Sequence, residues 1–401
     1  MRFKYFIILI AILYFYNSLI FSQTHSFTAI SFDVKKIVEV KQSYNAGKKE
    51  HIAAIMKLQR DADKALNAGP YSVMDKSQTP PSGDKHDYMS LGKYWWPDPK
   101  KLDGKPYIRH DGKTNPETND VKDHDNLNSM IRSVVTLSLG YYFTDYEPYA
   151  DYASKLLRVW FFNPATKMNP NLNFAQAIPG KTDGRGSGIV DAHLLPDVLD
   201  AVSLLSSSAS WSENDNATLK NWFEEYFKWM KESKNGKDEA KAKNNHGTWY
   251  DVQVASIALF LGKNDIAKEF VNEAKSKRIA YQIEPDGKQP EELARTNSLS
   301  YSLFNLEALF RLAKIGEIVG IDLWSYKAQD GRSIQTALDF ALPFASGNQE
   351  WPFEQITDFK TEKSYPLLYV AALEYKDEKY KNAYENIAGI DQKKHRINIL
   401  F

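Results

Sequence analysis

At 401 residues, with 43% hydrophobic and 25% charged, the chain has ordinary globular composition and enough length to bury a sizeable core, which excludes wholesale disorder. Its 51 basic and 51 acidic residues cancel, so no net field selects nucleic acid or an anionic membrane as a partner. The absence of cysteine excludes disulfide frameworks, thiolate metal sites, cysteine nucleophiles and lipidation of an N-terminal cysteine.

Arg2 and Lys4 precede an apolar run from Tyr5 to Phe21, and polarity returns at Ser22-Gln23. This layout predicts a secretory signal peptide over 1–23, with a mature domain over 24–401. The run is nearly long enough for an uncleaved anchor instead. The expected protein is secreted or periplasmic, monomeric, and without stable membrane association after cleavage.

From Val34 to Asn67 the pattern is helical, with Ile52, Ile55, Met56 and Leu58 expected on one buried side. Residues 69–124 are then dense in Pro, Gly, Asp and aromatics, an irregular stretch too long to be a simple connection. Two adjacent tryptophans in Tyr94-Trp95-Trp96 argue against a solvated linker. Helical periodicity resumes over 126–143, 147–162, 190–206, 214–232, 248–261, 263–276, 297–319, 330–345 and 364–389. Such a succession predicts an all-α fold, either an α/α toroid or an α-solenoid, and no repeat of fixed period supports the solenoid. Loops 163–189 and 277–296 are long and polar, so they are candidates to build a site.

Three stretches carry candidate chemistry. Asn244-Asn245-His246 stands directly before an apolar helix, where free amides and the helix dipole favour anions. Capping by an asparagine and core packing of His246 explain the same residues equally simply. Arg295 and Tyr301 flank a predicted helix start near Asn297 or Ser298, so Arg295 can turn from the loop toward Tyr301. An arginine there is expected to lower the phenol's pKa; a surface salt bridge and ordinary packing are the plain alternatives. The Gly-rich run 180–191 predicts a backbone that approaches a ligand closely, with Arg185 facing an anion, or else a flexible loop. It lacks the spacing of a phosphate loop. His86, His110 and His124 lack metal-ligand spacing, so no metal is expected.

Together, YWWPDP (94–99), PYIRHDGKTNPE (106–117), GRGSGIVD (184–191), NNHGTWYDVQ (244–253) and ARTNSLSY (294–301) resemble the alginate lyase family of polysaccharide lyases. The likeness spans about 70–370 and is greatest to its glucuronan- and mannuronan-cleaving branch, polysaccharide lyase family thirty-eight, related to family five. It implies a single α/α toroid, an incomplete barrel of six or seven hairpins with long loops lining a cleft. It also implies β-elimination on an acidic polysaccharide, alginate or glucuronan, with no cofactor and no metal. Asn245, His246, Arg295 and Tyr301 carry over as the catalytic group. Tyr94, Trp95, Trp96, Arg185, Asn244, Trp249 and Tyr250 are the expected substrate-binding residues.

The chemistry fits these residue types. Elimination needs the uronate carboxylate neutralised, a base for the C5 proton and an acid for the C4 oxygen. Asn245 and Arg295 suit the carboxylate and its enolate-like successor. Where the C5 hydrogen and C4 oxygen share a face, as in mannuronate and glucuronate, Tyr301 can serve as both base and acid. On opposite faces, as in guluronate, His246 would be the base. A toroidal glycoside hydrolase would instead use two carboxylates, from Asp183, Asp191, Glu292 or Glu354. A helical glycan-binding protein is the non-catalytic alternative.

Overall fold

The computed structural model describes residues 28–401; the expected signal peptide lies outside them. Asp33 caps the first helix, α1 (Val34–Asn45), its carboxylate accepting the Lys36 N–H at 2.9 Å. The single helical stretch expected over 34–67 is broken after α1, and α2 covers Ile52–Ala65. Its buried face is Ala54, Ile55, Leu58, Ala62 and Ala65, a spacing that leaves Ile52 and Met56 exposed, contrary to expectation.

The irregular segment forms two minimal sheets. Strand β1 (Met89–Leu91) runs parallel to β4 (Phe174–Ala177), and β2 (Trp95–Trp96) pairs antiparallel with β3 (Ile108–Arg109). Helices then follow in hairpin succession: α3 (Asp123–Thr144), α4 (Glu147–Leu157), α5 (Leu195–Leu205), α6 (Glu213–Glu232), α7 (Lys234–Ala240), α8 (Asn245–Phe260), α9 (Asn264–Ala274), α10 (Ser298–Val319), α11 (Ile334–Ala345), α12 (Tyr365–Tyr375) and α13 (Glu378–Glu385).

Helices α3, α5, α8 and α10 pack side by side as an inner wall, while α2, α4, α6, α9 and α11 each contact members of it. This is an α/α toroid. The inner helices are buried almost all round, as Thr248–Ala258 of α8 shows, because they meet neighbours on both flanks. At the C-terminus Ile397–Leu400 lies against α1 and α2, and the Asp33 N–H donates to the Leu400 carbonyl at 2.7 Å. No helix among the described residues is long and apolar enough to cross a membrane.

Candidate active site

Helix α10 begins where the sequence places it, and Tyr301 occupies its first turn. The Tyr301 hydroxyl lies 2.6 Å from the Tyr94 hydroxyl, just ahead of β2. The Arg295 guanidinium sits 3.9 Å from the centre of the Tyr301 ring, on its face, so the two approach as the loop-to-helix geometry predicts. The phenol's pKa nevertheless moves the other way. Burial and the neighbouring Tyr94 raise it, and together they outweigh Arg295, so the expected lowering is corrected. Tyr301 is a neutral phenol at rest.

Arg295 is fixed from below. Its Nε and Nη2 reach the two carboxylate oxygens of Asp111 at 3.1 and 2.9 Å, and Asp111 also accepts from the Thr296 N–H. Burial alone would push Asp111 up, but these donors hold its carboxyl well below the usual range. Gly112, at φ +71, makes this approach possible. A Cβ there would stand 2.7 Å from Ile356 Cδ1 and 2.9 Å from Asn297 Nδ2.

At the start of α8, Asn244 is the N-cap, its side chain accepting the His246 N–H. Asn245 is buried; its N–H and Nδ2 donate to the two oxygens of Glu292 at 2.6 and 2.8 Å. Burial raises the Glu292 pKa even though Asn245, Arg295 and His246 all favour its charge. Arg295 and His246 both lie within electrostatic reach of Glu292. His246 Nδ1 lies 2.7 Å from Glu239 Oε1, on a carboxylate only 3% exposed. With Nδ1–H given to Glu239, Nε2 is the imidazole nitrogen free for a ligand.

Glu239, Glu292 and Asp111 hold His246, Asn245 and Arg295 in place; the sequence reading offered Glu292 only as a hydrolase carboxylate and gave Glu239 and Asp111 no role. Glu239 comes from α7, a helix absent from the expected set because KNGKDEA has no apolar periodicity. Replacing Glu239 by Gln is expected to shift the tautomer balance of His246, read in the imidazole 15N spectrum, and to lower kcat by on the order of tenfold with KM little changed. An unchanged tautomer balance would mean that Glu239 only fills space.

The aromatic hairpin is partly exposed. Lys181 Nζ stands 4.3 Å from the centre of the Trp95 ring, and Trp96 Nε1 donates to the Lys113 carbonyl at 2.9 Å. Arg185 spends Nε and Nη2 on the backbone oxygen and side chain of Gln176, so much of its donor set is already used. Two expected sugar contacts are corrected. Trp249, 0% exposed, packs on His193 and Phe304, and Tyr250, 3% exposed, donates to the Met230 carbonyl at 3.0 Å. Both are core residues, because α8 is surrounded on every side. The carboxylates of the hydrolase alternative are not paired across a cleft: Asp191 accepts from Tyr88, Ser90 and Gln176, Glu292 is held by Asn245, and Asp183 and Glu354 are exposed. Among the described residues, no three His, Asp or Glu side chains are placed to hold a metal ion.

The family model for alginate lyase matches residues 72–351. The chain belongs to the alginate lyase family. An alginate lyase from Bacteroides ovatus of known crystal structure is 41% identical, over 93% of this chain and 98% of that one, with a TM-score of 0.88. Alginate lyase A1-III from Sphingomonas species A1 is 14% identical, over 86% of this chain and 93% of that one, at a TM-score of 0.53. A histidine-to-alanine variant of alginate lyase A1-III complexed with a tetrasaccharide is 15% identical, over 88% and 96%, at 0.54. These distant two share the fold. No curated protein is a significant match. The chain is thus a polysaccharide lyase, and the hydrolase and binding-protein alternatives are not favoured.

Proposed function

We propose that this lyase is exported and cleaves β-linked uronate polymers, polymannuronate or glucuronan, by β-elimination centred on Tyr301. The observation that carries the reading is the Tyr94–Tyr301 hydroxyl pair beneath Arg295, on the wall of a cavity of about 580 Å³. Neutralisation of the uronate carboxylate by Arg295 acidifies the C5 hydrogen, while Asn245, buried and bonded to Glu292, holds the start of α8 in place. The C5–H bond breaks, its proton goes to the base and its electrons pass into the carboxylate as an enolate-like species. As the C4–O bond breaks, those electrons form the C4=C5 double bond, and the C4–O pair leaves on the oxygen, which takes a proton from the acid. On a same-face substrate Tyr301 first gives its resting proton to His246, then takes the C5 proton as phenolate and hands it to the C4 oxygen.

The raised pKa of Tyr301 favours a second assignment, with His246 as base through Nε2 and Tyr301 purely as acid. The substrate separates the two. Purified protein is incubated with polymannuronate, glucuronan and polyguluronate, and the ultraviolet absorbance of the new double bond is followed. A rise on polymannuronate or glucuronan alone supports elimination through Tyr301. A rise on polyguluronate assigns the base to His246. New reducing ends without absorbance would overturn the lyase reading.

A further inference from the structure

Of the catalytic group only Tyr301 lines the cavity, which continues along α10 away from Asn245, His246 and Arg295. Tyr301, Phe304, Glu307, Arg311 and Lys314 all line it, three or four residues apart on one face of α10. Thirteen residues of helix separate the first from the last, so this wall is about 20 Å long. Ile318, one turn further, lies on the wall of a second cavity of about 640 Å³, with Leu199, Asp200, Trp211 and Phe260. The same inner helix therefore borders two cavities, one after the other along its length.

What stands between them is the first described stretch of the chain. Ile30, 4% exposed, lines both cavities, Ser31 lines the catalytic one and Thr28 the other. This stretch is pinned from α5. The Ile30 N–H, the Ser31 N–H and the Ser31 hydroxyl all donate to one oxygen of Asp200, at 3.0, 2.8 and 2.6 Å. These contacts join residues 170 and 169 apart in sequence, and on the other side Asp33 is tied to Leu400. Three donors on one buried acceptor are a specific anchorage, more than is needed to tether a chain end.

Most of the cationic charge on this cavity is already paired, which leaves Lys363 for an anionic chain. Arg311 is paired with Asp197 and, at 3.6 Å, with Glu307; Lys314 is paired with Glu317 and Glu374. Lys363, exposed on the same cavity's lining, has no acidic partner among the described residues. Aromatic Phe304 and Phe359 offer faces to sugar rings, and Asn297, Ser300 and Thr357 offer hydrogen bonds.

We propose that Thr28–Phe32 is a plug between the two cavities that closes the inner end of the catalytic cavity, and so fixes how many uronate units a bound chain can place beyond Tyr301. This rests on the uronate-lyase reading above. Ile30 is the partition and Asp200 its anchor. A shorter side chain at position 30 joins the two cavities, and a larger one at position 31 shortens the first.

The test is a binding series by calorimetry, with saturated mannuronate or glucuronate oligosaccharides of increasing length, on Tyr301→Phe protein so that none is consumed. Affinity rises with each added unit until the cavity is full, then levels. Ile30→Ala on that background is expected to move the plateau by at least one unit to longer chains, and Ser31→Trp to move it to shorter ones. Circular dichroism checks that each variant is folded, and Ile30→Ala suffices should Ser31→Trp not fold. An unchanged plateau in folded Ile30→Ala, alongside normal elimination by the unmodified enzyme, would overturn the plug and leave the lyase reading intact. Failure of the unmodified enzyme to eliminate any of the three polymers would overturn the uronate reading and this inference with it.

Discussion

Replacing Tyr301 by Phe is expected to lower kcat on uronate polymer by about 10²–10⁴-fold, the usual range for a positioned proton-transfer group, while KM changes little. Only one oxygen is lost. The ring remains under Arg295 and the surrounding packing is kept, so the change isolates the hydroxyl that meets Tyr94. Full activity in this variant would remove Tyr301 from the proton path and leave His246 as the residue to pursue. A large rise in KM with kcat retained would make the hydroxyl a binding group.

Truncating Trp249 to Ala is expected to destabilise the fold by about 3–5 kcal/mol, the range for large aromatic residues removed from a core. Its ring is wedged between His193 and Phe304, at 4.9 Å from each, with Arg311 over its face. Its indole Nε1 is buried without a hydrogen-bond partner, so Trp249→Phe removes a desolvated polar group along with volume and should cost far less. Trp96→Ala, on the partly exposed hairpin, should leave denaturant stability nearly unchanged and raise KM. Chemical unfolding curves of the three variants distinguish a core tryptophan from one that meets substrate. A stable Trp249→Ala protein with raised KM would restore that residue to the cleft.

The pair Trp249 and Tyr250 also marks where sequence reasoning stops. They stand three and four positions after His246 in the same motif, and the resemblance grouped them with the substrate-binding residues. On a helix buried all round, residues three and four positions beyond a site turn into the core instead. Asn245, His246, Arg295 and Tyr301 were legible because polar residues standing at the starts of two apolar helices are chemically conspicuous. Their supports were not. Glu239 lies in a polar helix without an apolar stripe, and Asp111 lies in a segment with no periodicity, so nothing local says that either turns inward. The pKa of Tyr301 was misjudged for a related reason. The arginine is visible in the sequence, whereas the burial that outweighs it exists only once the chain has closed.

The fold was more readable than the site. Most inner helices were found within a few residues, since each carries a long apolar run with a polar or glycine-containing boundary. Two breaks were missed, after Asn45 and at Tyr375–Glu378, where short turns interrupt otherwise continuous helical composition.

The contacts that join the two halves of the site are long: Tyr94 meets Tyr301 across 207 residues, and Asp111 meets Arg295 across 184. Closing such spans costs chain entropy that local helix formation does not, so it is deferred until the helical ring can compensate for it. Helices recover early and the two tyrosines meet late. In a refolding time course the circular dichroism signal should therefore return before turnover does. A chain caught partway through folding would carry most of the secondary structure of this enzyme and none of its capacity to cut a polysaccharide.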